Sequence, residues 1–264
     1  MLASYIAPAI TGRYDFTAVP VALPTPLVRA LLPTADDEWG FLAPDDARTA
    51  SLGIPDAGPG KSWIVLEAGK QIHTGMSYVP FGRSTFFEAK VEVPFLRHPA
   101  TQSAVPITHK SSMLFSSRLM SFSAAHLTGL RSHRVVCVED DAQGSFEAMD
   151  WLKVVEDGEV QVPDEDKWDE ALLRQVLTGY WVGENTGDAA TKFIMSSLSP
   201  ARPRPQLRIR LNLAAVTELP VEVLQRLAAG TDLTVEENGW IEVSGAGYAL
   251  SESTHLEVTS LSSL

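Results

Sequence analysis

Residues 86–95 alternate: Phe87, Ala89, Val91 and Val93 are interleaved with Glu88, Lys90 and Glu92. A repeat of two puts every second side chain on the same face of an extended strand. The segment therefore reads as a half-buried strand with one apolar and one charged face. The same rhythm recurs at 206–213, where Leu207, Ile209 and Leu211 flank Arg208 and Arg210. Segments 62–68, 134–138, 145–155 and 240–243 are rich in apolar and β-branched residues and read as further strands.

Helical grammar is sparser. Residues 26–32 form a short helix, with Pro26 in the first turn and Pro33 ending it. Residues 166–178 open with acidic side chains, carry Trp168, Leu172 and Val176 on one stripe and meet Gly179. Residues 220–229 follow the same pattern, with Gly230 beyond their end. The stretches 36–61 and 199–205 read as loops because Pro, Gly and Asp interrupt any periodicity. Strands and helices do not alternate strictly, so the class is α+β, mainly β. There is no internal repeat and no clean linker, so residues 1–264 are expected to form a single domain.

Composition narrows the function. The formal net charge of the 264 residues is −12, which disfavours nucleic acid as a partner. Acidic runs at 36–38, 139–141 and 164–166 read as solvated loops. The single cysteine, Cys137, cannot form an intrachain disulfide and sits in an apolar run, where it reads as a small buried hydrophobe. No stretch of about 18 apolar residues and no basic leader is visible, so the expectation is a cytoplasmic protein that avoids membranes.

Familiar motifs fail on inspection. Gly58, Pro59, Gly60, Lys61 and Ser62 resemble the end of a phosphate loop, but Pro55 stands where its first glycine belongs. Gly245, Ala246 and Gly247 lack the third glycine of a dinucleotide fingerprint. No cysteine pair or histidine helix suits zinc. No cofactor and no metal are expected. The six histidines never fall at i, i+4, and each alone suits a hydrogen-bonded structural role.

Four segments, in order, resemble the acetoacetate decarboxylase-like superfamily. Tyr14, Asp15 and Phe16, then Val19, Pro20 and Val21, then residues 27–33 are similar to its opening strand and short helix. Residues 86–95 are similar to a strand carrying a pocket glutamate, here Glu88. Residues 113–134 fall where the family has a Tyr-Leu-Asp segment, a Gly-Arg-Glu run and a Pro-Lys-Lys motif. Residues 240–252 resemble its terminal strand. The resemblance implies a β-barrel or cone with a few flanking helices, enclosing an apolar pocket, in a chain that assembles as a homo-oligomer.

It also exposes a departure. The lysine that attacks a keto group in the family falls at His133 and Arg134, or one residue earlier, and neither register supplies lysine. Imidazole cannot form an iminium, so the resemblance implies acid–base chemistry instead. The expected catalytic residues are Glu88, His133 and Arg134. The expected substrate-binding residues are Arg131, His126, His73, Met113, Phe115, Met120 and Tyr14, with Phe122 beside the methionines. Plainer readings stay open: Glu88 beside Lys90 and Glu92 also suits a solvated face, and His133 and Arg134 also suit a surface turn. The expected activity is that of a lyase, cyclase or isomerase on a hydrophobic, oxygenated small molecule in secondary-metabolite biosynthesis. Two alternatives remain: a β-keto acid decarboxylase using Lys110 or Lys192, and a non-catalytic protein that binds a hydrophobic ligand.

Overall fold

The computed structural model describes residues 10–33, 39–42, 53–76, 82–98, 101, 105–163 and 167–264, with only the backbone of Leu127 and Thr128. The acidic runs at 36–38 and 164–166 and the first residue of the helix expected over 166–178 lie outside the described residues.

The strands run in the order β1 (Ile10–Pro24), β2 (Gly40–Phe41), β3 (Lys61–Met76), β4 (Ser84–Arg97), β5 (Ile107–Phe115), β6 (Ser132–Arg134) and β7 (Cys137–Asp140). Then follow β8 (Ser145–Ala148), β9 (Leu152–Glu156), β10 (Tyr180–Val182), β11 (Ala189–Ser197), β12 (Arg202–Asn212) and β13 (Trp240–Ser260). The helices are α1 (Thr25–Arg29), α2 (Arg118–Thr128), α3 (Glu170–Leu177), α4 (Leu213–Thr217) and α5 (Val221–Ala228).

Seven strands close on themselves. The pairing runs β1–β3–β4–β5–β10–β11–β13 and returns from β13 to β1. All these pairs are antiparallel except β5–β10, which is parallel. From β13 a branch continues through β12, β9, β8 and β7. The 21 residues of β13 serve three partners: residues 240–249 pair with β12, 248–255 with β1 and 252–260 with β11. Where β13 passes from one partner to the next, Gly247 lies so close to β1 that a Cβ would collide with the Ala18 carbonyl. Closure hides strand edges that would otherwise invite aggregation.

Closure also decides what the alternation in β4 means. Its apolar face, with Ala89, Val91 and Val93, joins the main core with Val19, Leu66 and Leu114. Its charged face turns into the ring, so Glu88, Lys90 and Glu92 are all at most 3% exposed. The half-buried strand expected from the pattern is thus buried on both sides. All nine residues of β5 are buried as well.

Boundaries shift for local reasons. The strand expected over 145–155 splits into β8 and β9, because Asp150 takes a positive φ of 67° in the turn between them. The strand expected over 134–138 breaks between β6 and β7. The strand expected over 206–213 ends at Asn212, whose side chain accepts from the Ala215 amide and starts α4. Helix α3 begins at Glu170 because Asp169 caps it, its carboxylate accepting from the Leu172 amide at 2.7 Å. No helix of the described residues is long and apolar enough to cross a membrane.

Candidate active site

The interior of the ring is built in layers. At one end lies an apolar cavity, in the middle a layer of ionisable side chains, and at the other end an aromatic plug carrying α3. The middle layer comes from register. Glu67 on β3 stands opposite Lys90 on β4. Lys110 on β5 stands opposite Glu92, and a bulge at Ser111 follows. The extra residue is decisive, because without it Lys110 and Met113 would point to opposite faces of β5. With it, Lys110, Met113 and Phe115 share the inner face.

Lys90 Nζ lies 2.9 Å from Glu67 Oε2 and 3.0 Å from Glu88 Oε1. Lys110 Nζ lies 3.9 Å from Glu67 Oε1 and makes a short contact with Glu92 Oε1. The chain of pairs therefore reads Glu88, Lys90, Glu67, Lys110, Glu92. Aromatic rings enclose it: Lys90 Nζ is 4.5 Å from the Tyr14 centroid and 4.7 Å from that of Phe193. Lys110 Nζ is 4.8 Å from the Trp181 centroid. Such contacts stabilise ammonium groups removed from water. Beyond Tyr14, the fully buried Glu252 takes Arg174 Nη1 of α3 at 2.5 Å. Around that pair Trp63, Phe95, Trp168 and Leu172 close the far end.

Burial and charge compete at each group. For Lys90, burial acts against the ammonium, but Glu67, Glu88 and Glu92 outweigh it and raise its pKa. For Glu67, burial acts against the carboxylate, and Lys90 and Lys110 win, holding its pKa down. In the Glu92–Lys110 pair, burial wins at both ends: Glu92 is pushed up to about 7 and Lys110 is pushed down. A dry interior favours the neutral form of each partner. The Tyr14 hydroxyl is driven well above its usual range by burial and then by Glu67, Glu88 and Glu92.

The cavity above this layer has a volume of about 110 Å³. A dry engineered cavity of roughly 150 Å³ accepts benzene, so this space suits a molecule of about that size or smaller. Phe86, Phe115, Trp181 and Phe193 supply aromatic walls, and Met113 and Met120 supply pliable ones. Among the described residues Glu88 is the one carboxylate lining it, with Gln71, Thr74, Thr254 and His255 as polar neighbours. Helix α2 contributes Met120, Ser123 and Ala124 as a cover. Its first turn is fixed by Ser117, whose Oγ accepts from the Met120 amide.

The residues singled out from sequence divide into two sets. Glu88, Met113, Phe115 and Met120 line the cavity, and Tyr14 lies in the layer beneath. The other set is elsewhere. His133 pairs in register with Leu114, whose side chain belongs to the outer core. Its ring packs against Trp151 at 4.4 Å, and burial followed by the nearby Arg131 lowers its pKa. Arg134 is exposed, and Arg131 Nη2 is held 2.8 Å from Glu218 Oε1. His126 is exposed and stacks on Phe122, itself 59% exposed, at 4.0 Å. His73 is exposed on a bulge with φ 49°, while its neighbours Gln71 and Thr74 face the cavity. The structure therefore does not bring Glu88 and His133 together, and among the described residues no arginine lies in the cavity wall.

Sequence reasoning missed Glu67, Lys90 and Glu92 as site residues, and Lys110 entered only as an alternative. The signal was present in the charged face of β4. Lys192 turns outward, pairing with Glu257 at 3.0 Å.

Comparisons with known proteins fit this architecture. No family model and no curated protein matches the sequence. Among solved structures, an acetoacetate decarboxylase from Legionella pneumophila subsp. pneumophila str. Philadelphia 1 superposes with a TM-score of 0.56 at 12% identity, covering 96% of this chain and 88% of that one. A second acetoacetate decarboxylase gives 0.52 at 9% identity, with the same coverage. The chain has the acetoacetate decarboxylase-like fold. On that fold the closed ring, its buried charges and its apolar end cavity are arranged as described above. At such low identity the likeness extends to the fold alone, and the chemistry rests on the residues present.

Proposed function

We propose that the protein is an enzyme, a lyase or isomerase, that acts on a short apolar molecule bearing an oxygen function. Glu88 is the group that takes and returns a proton. The observation that carries this reading is the placement of a carboxylate in the wall of a largely aromatic and aliphatic cavity, anchored from behind by Lys90. A general base must reach its proton in a dry, shaped site. Glu88 has that reach, and the aromatic walls orient the substrate. His133 is not needed, because it packs on the outer face of the ring.

Deuterium exchange next to the carbonyl of four- to six-carbon ketones, followed by NMR in D₂O, tests the reading. Wild-type protein is expected to accelerate exchange, and Glu88→Gln to slow it by about 10²-fold. His133→Ala is expected to retain the wild-type rate within a few-fold. Exchange at the buffer rate with folded wild-type protein, or full activity in the glutamine variant, would refute the role of Glu88.

A second reading is favoured by Lys110, whose proton affinity is lowered by burial and which lies beside two cavity-wall rings, Trp181 and Phe193. A neutral amine there would attack a carbonyl and support decarboxylation. Borohydride reduction in the presence of a 3-oxo acid separates the readings: a covalent adduct mapped to Lys110 supports the amine mechanism, and an unmodified chain eliminates it.

A further inference from the structure

The acid–base reading leaves the charge of the substrate unspecified, and the interior of the ring addresses it. Four carboxylates, Glu67, Glu88, Glu92 and Glu252, are held there with three cations, Lys90, Lys110 and Arg174. Each cation is engaged by at least one carboxylate, and none of the three lines the cavity. The lining contains no lysine or arginine among the described residues, and its one imidazole is the half-buried His255. A substrate carboxylate would meet Glu88 and find no guanidinium or ammonium to receive it. Like charges in a site walled by Phe86, Phe115, Trp181 and Phe193 are poorly screened.

The same walls suit a positive charge. Trp181 and Phe193 already face the ammonium groups of Lys90 and Lys110 at 4.7 to 5.0 Å. Aromatic faces around a carboxylate are the usual surroundings of a recognised ammonium. We propose that the cavity selects a small apolar molecule carrying an ammonium group, its cation set against Glu88 and its apolar body against the aromatic walls, and that it rejects carboxylates. This inference rests on the acid–base reading and adds the substrate class: an oxygenated amine, not an oxo acid.

Three probes of matched size decide the matter: n-butylammonium, 1-butanol and butyrate, titrated calorimetrically at pH 7. The ammonium is expected to bind about tenfold or more tightly than the alcohol, a difference of about 1.4 kcal/mol, and butyrate not to bind. In Glu88→Gln the ammonium is expected to fall to the affinity of the alcohol, whose unchanged binding reports an intact cavity. Butyrate binding as tightly as the ammonium, or an ammonium preference that survives in Glu88→Gln, overturns the proposal. The wild-type series decides by itself should that variant fail to fold. Butanol binding with no ammonium preference sinks this inference and leaves the acid–base reading standing. If none of the three enters, both fall.

Discussion

Lys90 shows what a single residue does in this interior. It is fully buried and contacts the carboxylates of both Glu67 and Glu88. Removing one partner of a buried pair leaves an uncompensated charge, which costs about 3–5 kcal/mol. Lys90→Met is therefore expected to lower stability by that order in urea denaturation. Changing Glu67 to Leu in the same chain is expected to recover part of the loss, and a double variant no more stable than the single one would argue against the pairing. Two other residues set opposing pH dependences. His109, on the outer face of β5, is pushed down to about 3 from 6.5, first by burial and then by His98 and Arg131. The unfolded chain takes up that proton first, so His109 makes stability fall as pH drops below about 6.5. Glu92 is raised from 4.5 to about 7 by burial, so the folded state holds its proton more tightly and stability falls as pH rises through that window. Between pH 5 and 6.5 the two slopes oppose each other. His109→Phe is expected to make the protein gain stability on acidification across this window, and Glu92→Gln to make it lose stability there. Midpoints measured at pH 5 and 6.5 that do not diverge between the variants would contradict both assignments.

At the scale of elements, α2 is the cover of the cavity and is held by few anchors. Ser117 caps its start, and Ser132 Oγ on β6 donates to the Ser121 carbonyl at 2.6 Å. Its outer surface leaves Leu119 65% exposed, so apolar packing does not clamp it from above. Loss of a serine cap costs about 0.5–2 kcal/mol. Ser117→Ala is expected to speed amide hydrogen exchange over 118–128 by roughly two- to thirtyfold while β4 and β5 keep their protection. Equal acceleration throughout would show that the helix opens only with the whole fold. The strand β5 carries the opposite lesson. Its bulge at Ser111 is invisible to any reading of period two, yet it brings Lys110 onto the same side as Met113.

For the molecule as a whole, closure of the ring is the event on which the rest depends. It turns the charged face of β4 from a solvent face into an interior, and it places Tyr14 of the first strand beside Glu252 of the last. Gly247 sits where β13 leaves β12 and reaches β1. Gly247→Val is expected to block that approach, with loss of cooperative unfolding and exposure of strand edges. A cooperative transition within about 1 kcal/mol of wild type, the usual reach of a tolerated substitution, would show that closure does not depend on this contact.

Local patterns in the sequence were enough for the mainly β class, most strand positions and the helices near 170 and 221, and the family resemblance was enough to pick out Glu88, Met113 and Phe115, which line the cavity. Side-chain alternation and capping residues act over a few positions, so they can be read from a few positions. The charged side of β4 was legible as a face, but not as an interior. Which side of a strand meets water is decided by partners distant in sequence, and here the decisive pairing joins residues 11–18 to 248–255. For the same reason His133 was expected at the cavity and lies outside it: linear order put it near the right segment, and the parallel pairing of β6 with β5 turned its ring outward.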